Sequence, residues 1–248
     1  FPLQQYGLRI KFVDINKETL NFDIAKLKDA ISDSTKLIMA VNLLGNSNEF
    51  DQIKELICDK KITLIEDNCE ALGASYKGIK TGTFGLCGSF STFFSHHIST
   101  MEGGIVATNN QEIYQILLSL RAHGWTRNLP KNNLLTGQKN DNEFEESFKF
   151  ILPGYNLRPL EISGAIGIEQ IKKLPQFIKI RRNNANHFKE IMKTNENLII
   201  QKEVGESSWF GFSLIVREEY GLSRNELINF LDKNLIEYRP VVTGNFAK

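Results

Sequence analysis

Cysteine is scarce and oddly numbered. The chain of 248 residues holds three, Cys58, Cys69 and Cys87, with no Cys-x-x-Cys spacing. So sparse a set fits reduced thiols in a cytoplasmic protein and builds no zinc or iron–sulfur site from this chain alone. An excess of charge is also lacking: Lys+Arg is 30 against Asp+Glu 29. That balance points away from nucleic acid and anionic membrane as partners. No apolar run approaches a membrane span, and no signal peptide opens the chain. No Gly-x-Gly-x-x-Gly follows a strand pattern, so a dinucleotide site is not supported. Repeats and low-complexity tracts are absent too. Phe1–Gln5 reads as the middle of something, and Thr243–Lys248 has no closing element. The chain is therefore expected to be an excerpt of a longer protein.

What is present is the patterning of a globular α/β protein, with 41% apolar and 24% charged residues. Short apolar runs at 9–14, 36–41, 62–67, 88–94 and 104–108 predict strands. Helical spacing at 24–31, 49–58 and 110–121 separates them, and Ile113, Ile116, Leu117 and Leu120 fall on one face of the last. This alternation predicts a mainly parallel sheet covered by helices. Residues 123–150 are polar and read as a long loop. A helix over 160–174 is expected to stop at Pro175, and a second to run over 176–193. A strand over 209–216, a helix over 224–234 and a strand over 236–240 read as the start of a smaller α+β unit. The expected division is 1–185 and 186–248.

In open α/β sheets ligands bind at the carboxyl ends of the strands. Two such ends carry polar groups. At Glu66-Asp67-Asn68-Cys69-Glu70, a carboxylate could hold a cationic ring nitrogen, a metal or a ribose, or Asp67 could simply cap the following turn. At Ser91 to His97, two histidines stand beside hydroxyls. Neighbouring histidines in a strand point to opposite faces, and His123 and His187 complete no zinc spacing, so no metal site is expected. Acid/base work by the pair is the sharper reading, and packing the plainer one.

The ordered segments resemble the nucleotide-sugar aminotransferase family of fold-type I pyridoxal-phosphate (PLP) enzymes, the DegT/StrS type. Phe12-Val13-Asp14 resembles its early strand. Glu66-Asp67-Asn68-Cys69-Glu70-Ala71-Leu72-Gly73 resembles its Glu-Asp-x-x-x-Ala-x-Gly segment. Gly82-Thr83-Phe84-Gly85 with Phe90-Ser91, Glu102-Gly103-Gly104, Tyr155-Asn156-Leu157-Arg158 with the helix after it, and Arg239-Pro240 continue the series. The likeness spans nearly the whole chain. It implies a three-layer αβα large domain, incomplete at its N-terminus, and the start of a small α+β domain. It also implies roles: Asp67 on the pyridine nitrogen, Glu70 near the ring hydroxyl and Ser91 on the cofactor phosphate. Asn156 would reach the cofactor phosphate of a neighbouring subunit, which implies a homodimer with shared sites.

One position departs from the aminotransferase pattern. The Schiff-base lysine of that family stands six residues before the Glu of Glu-Gly-Gly, and here that residue is His96. No lysine lies between Lys80 and Lys131. Imidazole cannot form the lysine's linkage to the cofactor but can shuttle a proton near neutral pH. The His-His-Ile pattern resembles the 3-dehydratases of 4-keto-6-deoxy nucleotide sugars, as do Asp67-Asn68-Cys69 and Arg239-Pro240 with Gly244-Asn245. The resemblance implies pyridoxamine phosphate as the working form, a C4 ketone on a nucleotide-linked hexose, and loss of the C3 hydroxyl with His96 moving the proton. It implies a place in deoxysugar and surface-polysaccharide biosynthesis. Four thiolates for an iron–sulfur cluster cannot be found, so glutamate is the expected amino donor. His97, Arg239 and Asn245 are candidate substrate contacts. The alternatives are a sugar aminotransferase with an unusual base, and an inactive, ligand-binding relative.

Overall fold

The computed structural model describes residues 2–242. A four-residue helix, α1 (Pro2–Gln5), precedes α2 (Ile24–Ala30). The Asp23 side chain caps α2 by accepting from the amides of Ala25 and Lys26, as an N-cap carboxylate does. Strand β1 (Leu37–Val41), a short 3-10 turn, α3 (Phe50–Ile57) and β2 (Thr63–Asp67) follow. Next come the hairpin β3 (Ser75–Tyr76) and β4 (Ile79–Lys80), then β5 (Gly88–Ser91), β6 (Gly104–Ala107) and α4 (Gln111–Leu120). Asn110 caps α4 through the Ile113 amide, at 3.0 Å. Beyond it lie β7 (Asn132–Asn133), β8 (Gly137–Gln138), α5 (Glu143–Ser147) and the long α6 (Glu161–Met192). The described part closes with β9 (Leu198–Ile200), β10 (Leu214–Val216) and α7 (Arg224–Lys233). Ser223 and Glu226 form a capping box at the start of α7.

The main sheet has the order β1-β2-β5-β6. β1, β2 and β5 run parallel, while β6 is antiparallel to β5 and places Gly104 opposite Ser91. The ends of β2 and β5 therefore open at the same edge, where α/β sheets bind ligands. Beneath that edge, Leu27, Ile38, Ala40, Phe50, Ile53 and Leu64 form a buried apolar cluster. Phe50 stacks on Phe84 at 4.2 Å, and Tyr76 meets both edge-on. Each fully buried side chain of this kind contributes about 1.5–3 kcal/mol, which makes the cluster a firm base for the strand ends.

Several expected elements differ. Arg9–Asp14 forms no strand; residues 8–12 are exposed, and pairing begins with the isolated Ile15–Phe22 bridge. β5 ends at Ser91 rather than Phe94, because the chain turns into a compact loop. The expected loop 123–150 contains a hairpin and a helix, held by the Asn133 and Asn142 side chains over their own turns. Pro175 sits inside α6 and does not end it. Proline removes one amide from the ladder, and tertiary packing at Ile178 and Ala185 carries the helix past that loss. Residues 201–213 are irregular, so only Leu214–Val216 of the expected 209–216 strand pairs, with β9. No strand forms over 236–240, where the side chains are exposed.

Candidate active site

The site begins with a buried polar network behind the strand ends. Glu66 on β2 is 2% exposed. Its carboxylate accepts the backbone N–H groups of Gly82 at 2.6 Å, Phe84 at 2.6 Å and Gly85 at 2.9 Å. The Asn42 amide donates to the Asn68 side-chain oxygen at 2.7 Å and to Glu66 at 3.4 Å. The Asn42 oxygen in turn accepts from the backbone and side chain of Asn48. Buried polar groups stabilise a fold when satisfied and cost heavily when not. Here they fix the turn after β2 against the loop before β5.

Asp67 is the last residue of β2. Its backbone oxygen accepts from the Asn42 amide at 2.9 Å. Its carboxylate accepts from the Cys69 amide at 3.0 Å and the Ser89 hydroxyl at 3.4 Å, as a residue capping the following turn does. Three residues on, the Glu70 carboxylate accepts from the Leu44 amide at 2.8 Å. Burial raises the Glu70 pKa, the Leu44 amide opposes this, and the Asp67 charge adds to it. The Cys69 thiol is pushed up to about 12, first by burial and then by Asp67. A thiol so raised is a poor nucleophile near neutral pH.

From the neighbouring strand end comes the turn of the two histidines. Thr92 and Thr100 close it through their hydroxyls, 2.7 Å apart, with the Thr100 amide on the Thr92 carbonyl at 2.8 Å. Ser91 Oγ accepts from the Phe93 amide at 3.2 Å, so its own proton is available to an anion. The His96 ring is half-buried. Desolvation lowers its pKa, while the Asp67 charge partly opposes the shift. Its Nδ1 is buried and meets no partner among the described residues. His97 is 3% exposed and bonds through Nε2 to the Ser208 carbonyl at 3.2 Å. A carbonyl only accepts, so Nε2 carries the proton and Nδ1 the lone pair. Burial and then the Arg181 charge bring the His97 pKa down to about 4.

Residues 201–213 supply a wall that sequence reasoning missed. Ser208 N donates to Gly45 O and Phe210 N to Leu44 O, both at 3.0 Å. Arg181 Nη1 on α6 reaches the carbonyls of Trp209 and Phe210 at 3.0 and 3.1 Å. The Phe210 ring then lies 5.2 Å from His96 and 5.7 Å from His97. The alternation over 209–216 predicted a strand there, and no pattern in 201–208 pointed to a wall.

Asp67, Glu70, Ser91, His96 and His97 thus converge from two adjacent strand ends. Asn156 does not join them within this chain: it is exposed, bridges Ala122 and takes a bond from Arg158 at 3.4 Å. Arg239 is exposed and pairs with Glu237 at 3.2 Å. Asn245 lies outside the described residues. No cluster of three or more metal-ligating side chains occurs among the described residues. The donor set fits a pyridine ring bearing a phosphate: a carboxylate at a strand end, a hydroxyl with a free proton, and an imidazole within range of that carboxylate's charge at the position of the resembling family's lysine.

Known proteins can now be set beside this geometry. The chain is 61% identical over its full length to a GDP-4-keto-6-deoxy-D-mannose 3-dehydratase of Yersinia pseudotuberculosis, of which it spans 63%. A solved E. coli enzyme of that name, with bound hydrated PLP, matches 100% of this chain with a TM-score of 0.98 and 60% identity; the chain spans 64% of it. Another solved structure of a GDP-4-keto-6-deoxymannose-3-dehydratase, with a trapped PLP-glutamate geminal diamine, matches 99% of this chain at TM-score 0.97 and 60% identity, with 64% of that chain covered. The fold is accordingly that of the fold-type I sugar aminotransferases. The model of the DegT/DnrJ/EryC1/StrS aminotransferase family matches residues 2–245, and the chain belongs to that family.

Proposed function

We propose that the protein catalyses the PLP/pyridoxamine-phosphate-dependent removal of the C3 hydroxyl from a GDP-linked 4-keto-6-deoxyhexose. The observation that carries this reading is His96, an imidazole within range of the Asp67 charge at the position of the family's lysine. When bound, the cofactor supplies an electron sink. Asp67 would hold the proton on its ring nitrogen, and Ser91 would donate to its phosphate. Glu70, its pKa raised by burial, would be the neighbour of the ring hydroxyl. His96, neutral because burial disfavours its charged form, would serve as base and then as acid, passing the proton it accepts to the C3 oxygen, which leaves as water. A lysine there would capture the cofactor and favour transamination. Glutamate is the proposed amino donor, consistent with the glutamate adduct trapped in the solved relative.

The dimer belongs to the same proposal. Leu157 is 68% and Leu160 70% exposed, and Ile162 and Ile168 continue this apolar run along the start of α6. A second copy of the chain would cover it, bringing Asn156 toward the neighbouring cofactor phosphate. Residues 1–185 are proposed as the cofactor-binding unit and 186–248 as the start of the smaller one, with Arg239 and Asn245 as substrate contacts; His97, buried against the Ser208 carbonyl, is proposed to support the site rather than touch substrate. No helix among the described residues is long and apolar enough to cross a membrane. A cytoplasmic place in surface-polysaccharide biosynthesis is proposed.

The test supplies full-length protein with cofactor, glutamate and the GDP-4-keto-6-deoxy sugar, and identifies the product by mass spectrometry. A 3-deoxy-4-keto sugar is expected, absent with His96→Asn. A 4-amino sugar as the main product overturns the reading in favour of an aminotransferase. Absence of cofactor binding overturns it in favour of a binding relative.

A further inference from the structure

A histidine that moves a proton needs its ring held in one direction. A carboxylate or carbonyl on the second nitrogen usually does this. Among the described residues, none takes that place at His96. Its Nδ1 is buried without a partner among the described residues, and its backbone amide donates to Phe93 O at 3.0 Å. Orientation therefore has to come from packing. Two rings flank the imidazole. Phe93 lies at 6.0 Å, nearly perpendicular, and Phe210 at 5.2 Å, tilted by 42°.

Phe93 is three residues away on the same turn and moves with it. Phe210 comes from a different part of the chain and is held independently. Its amide is fixed on Leu44 O, and its carbonyl by Arg181 Nη1. The Ser208 carbonyl, two residues earlier, is tied to His97 Nε2. Trp209 between them is buried at a positive φ of 49°, so the backbone has little freedom to drift.

We infer that Phe210 is a positioning residue for His96: its ring, anchored through Arg181 and His97, covers one side of the imidazole and sets the direction in which the proton moves. This role rests on the acid/base reading of His96 given above. It gives His97 a task without chemistry, as a latch between the histidine turn and the 207–210 wall. It also gives Phe210 an electrostatic effect, because an apolar ring on one side excludes water and disfavours the imidazolium. The charged and titratable groups around this turn are Asp67 from β2, His97 itself, and Arg181 from α6, which bears on His97.

The experiment follows His96 directly in the full-length protein, with and without cofactor. Carbethoxylation by diethyl pyrocarbonate is quantified on the His96 peptide by mass spectrometry across pH, beside the pH profile of kcat. In Phe210→Ala, the midpoint is expected to move upward, toward the ordinary histidine value. There kcat falls about tenfold to a hundredfold with KM nearly unchanged, the cost of a misplaced group. Phe210→Tyr restores both. If Phe210→Ala does not fold, Phe210→Leu, which keeps apolar cover without a flat ring, is measured in its place. An unchanged midpoint and kcat profile, whatever the melting temperature does, overturns the role of Phe210. With His96→Asn inactive, that result leaves the role of His96 standing. Full dehydration by His96→Asn overturns both.

Discussion

The carboxylate of Glu66 lies 2.6 Å from the backbone nitrogen of Gly82, across a turn that separates two adjoining strands. Its other oxygen accepts from Phe84 and Gly85, so one side chain satisfies three amides of one loop. Glu66→Gln keeps the shape but turns one acceptor into a donor facing donors. A buried group left unsatisfied costs about 1–3 kcal/mol. The variant is expected to unfold at lower urea concentration by roughly that amount. A midpoint equal to that of the parent protein would show that the loop does not depend on this carboxylate.

Gly45 ties this base to the wall of the site. It adopts a φ of +87°, and a Cβ there would stand 2.7 Å from both Ser208 Oγ and Trp209 N. Neither can retreat easily, since the Ser208 amide itself donates to Gly45 O. Gly45→Ala is expected to lose about 2 kcal/mol of stability or more, from overpacking and the left-handed backbone together. Because the displaced atoms carry Phe210, the proposed dehydration should fall more steeply than stability alone explains. Thermal unfolding measured beside kcat at a temperature where the variant is fully folded separates the two effects.

β1, α3, β2 and α4 were legible because their apolar residues recur with period 2 or 3.6; the 9–14 run misled, since an apolar run without a neighbouring strand does not pair. Asp67, Glu70 and His96 were singled out through the family resemblance, and the fold brings all three to one edge of the sheet. Residues 201–213 were not legible, because their backbone groups are satisfied by Arg181, Arg182 and the 44–45 turn rather than by a ladder. Such pairings leave no periodic trace. Phe210 reads as one more aromatic until the fold sets it against His96. Pro175 misled because local propensity was given more weight than packing, and α6 shows packing prevailing.

Ser91 offers a direct reading of cofactor affinity. Its hydroxyl oxygen is engaged by the Phe93 amide and its proton is uncommitted. A hydrogen bond to a charged group contributes about 1.5–3 kcal/mol. Ser91→Ala is expected to weaken binding of pyridoxamine phosphate by about tenfold to a hundredfold, read by fluorescence titration of the full-length protein. Affinity for pyridoxamine, which lacks the phosphate, should not change. An equal loss for both compounds would remove Ser91 from the phosphate.

His97 makes stability depend on pH in a window that can be calculated. Its pKa is about 4 in the folded chain against an ordinary value of 6.5. Above 6.5 the residue is neutral in both states and its contribution to stability is fully present. As pH falls from 6.5 toward 4, the unfolded chain binds a proton that the folded chain refuses, so stability falls with it. Below about 4 both states are protonated and the loss levels off. The loss attributable to this one residue is roughly 3 kcal/mol, as expected for an imidazole that is 3% exposed and near Arg181. His97→Gln keeps a donor for Ser208 O and removes the titration. Urea midpoints measured from pH 4 to 7 should slope in the parent protein and be flatter in the variant by that amount. Parallel slopes would mean that His97 is free to take up its proton in the folded state.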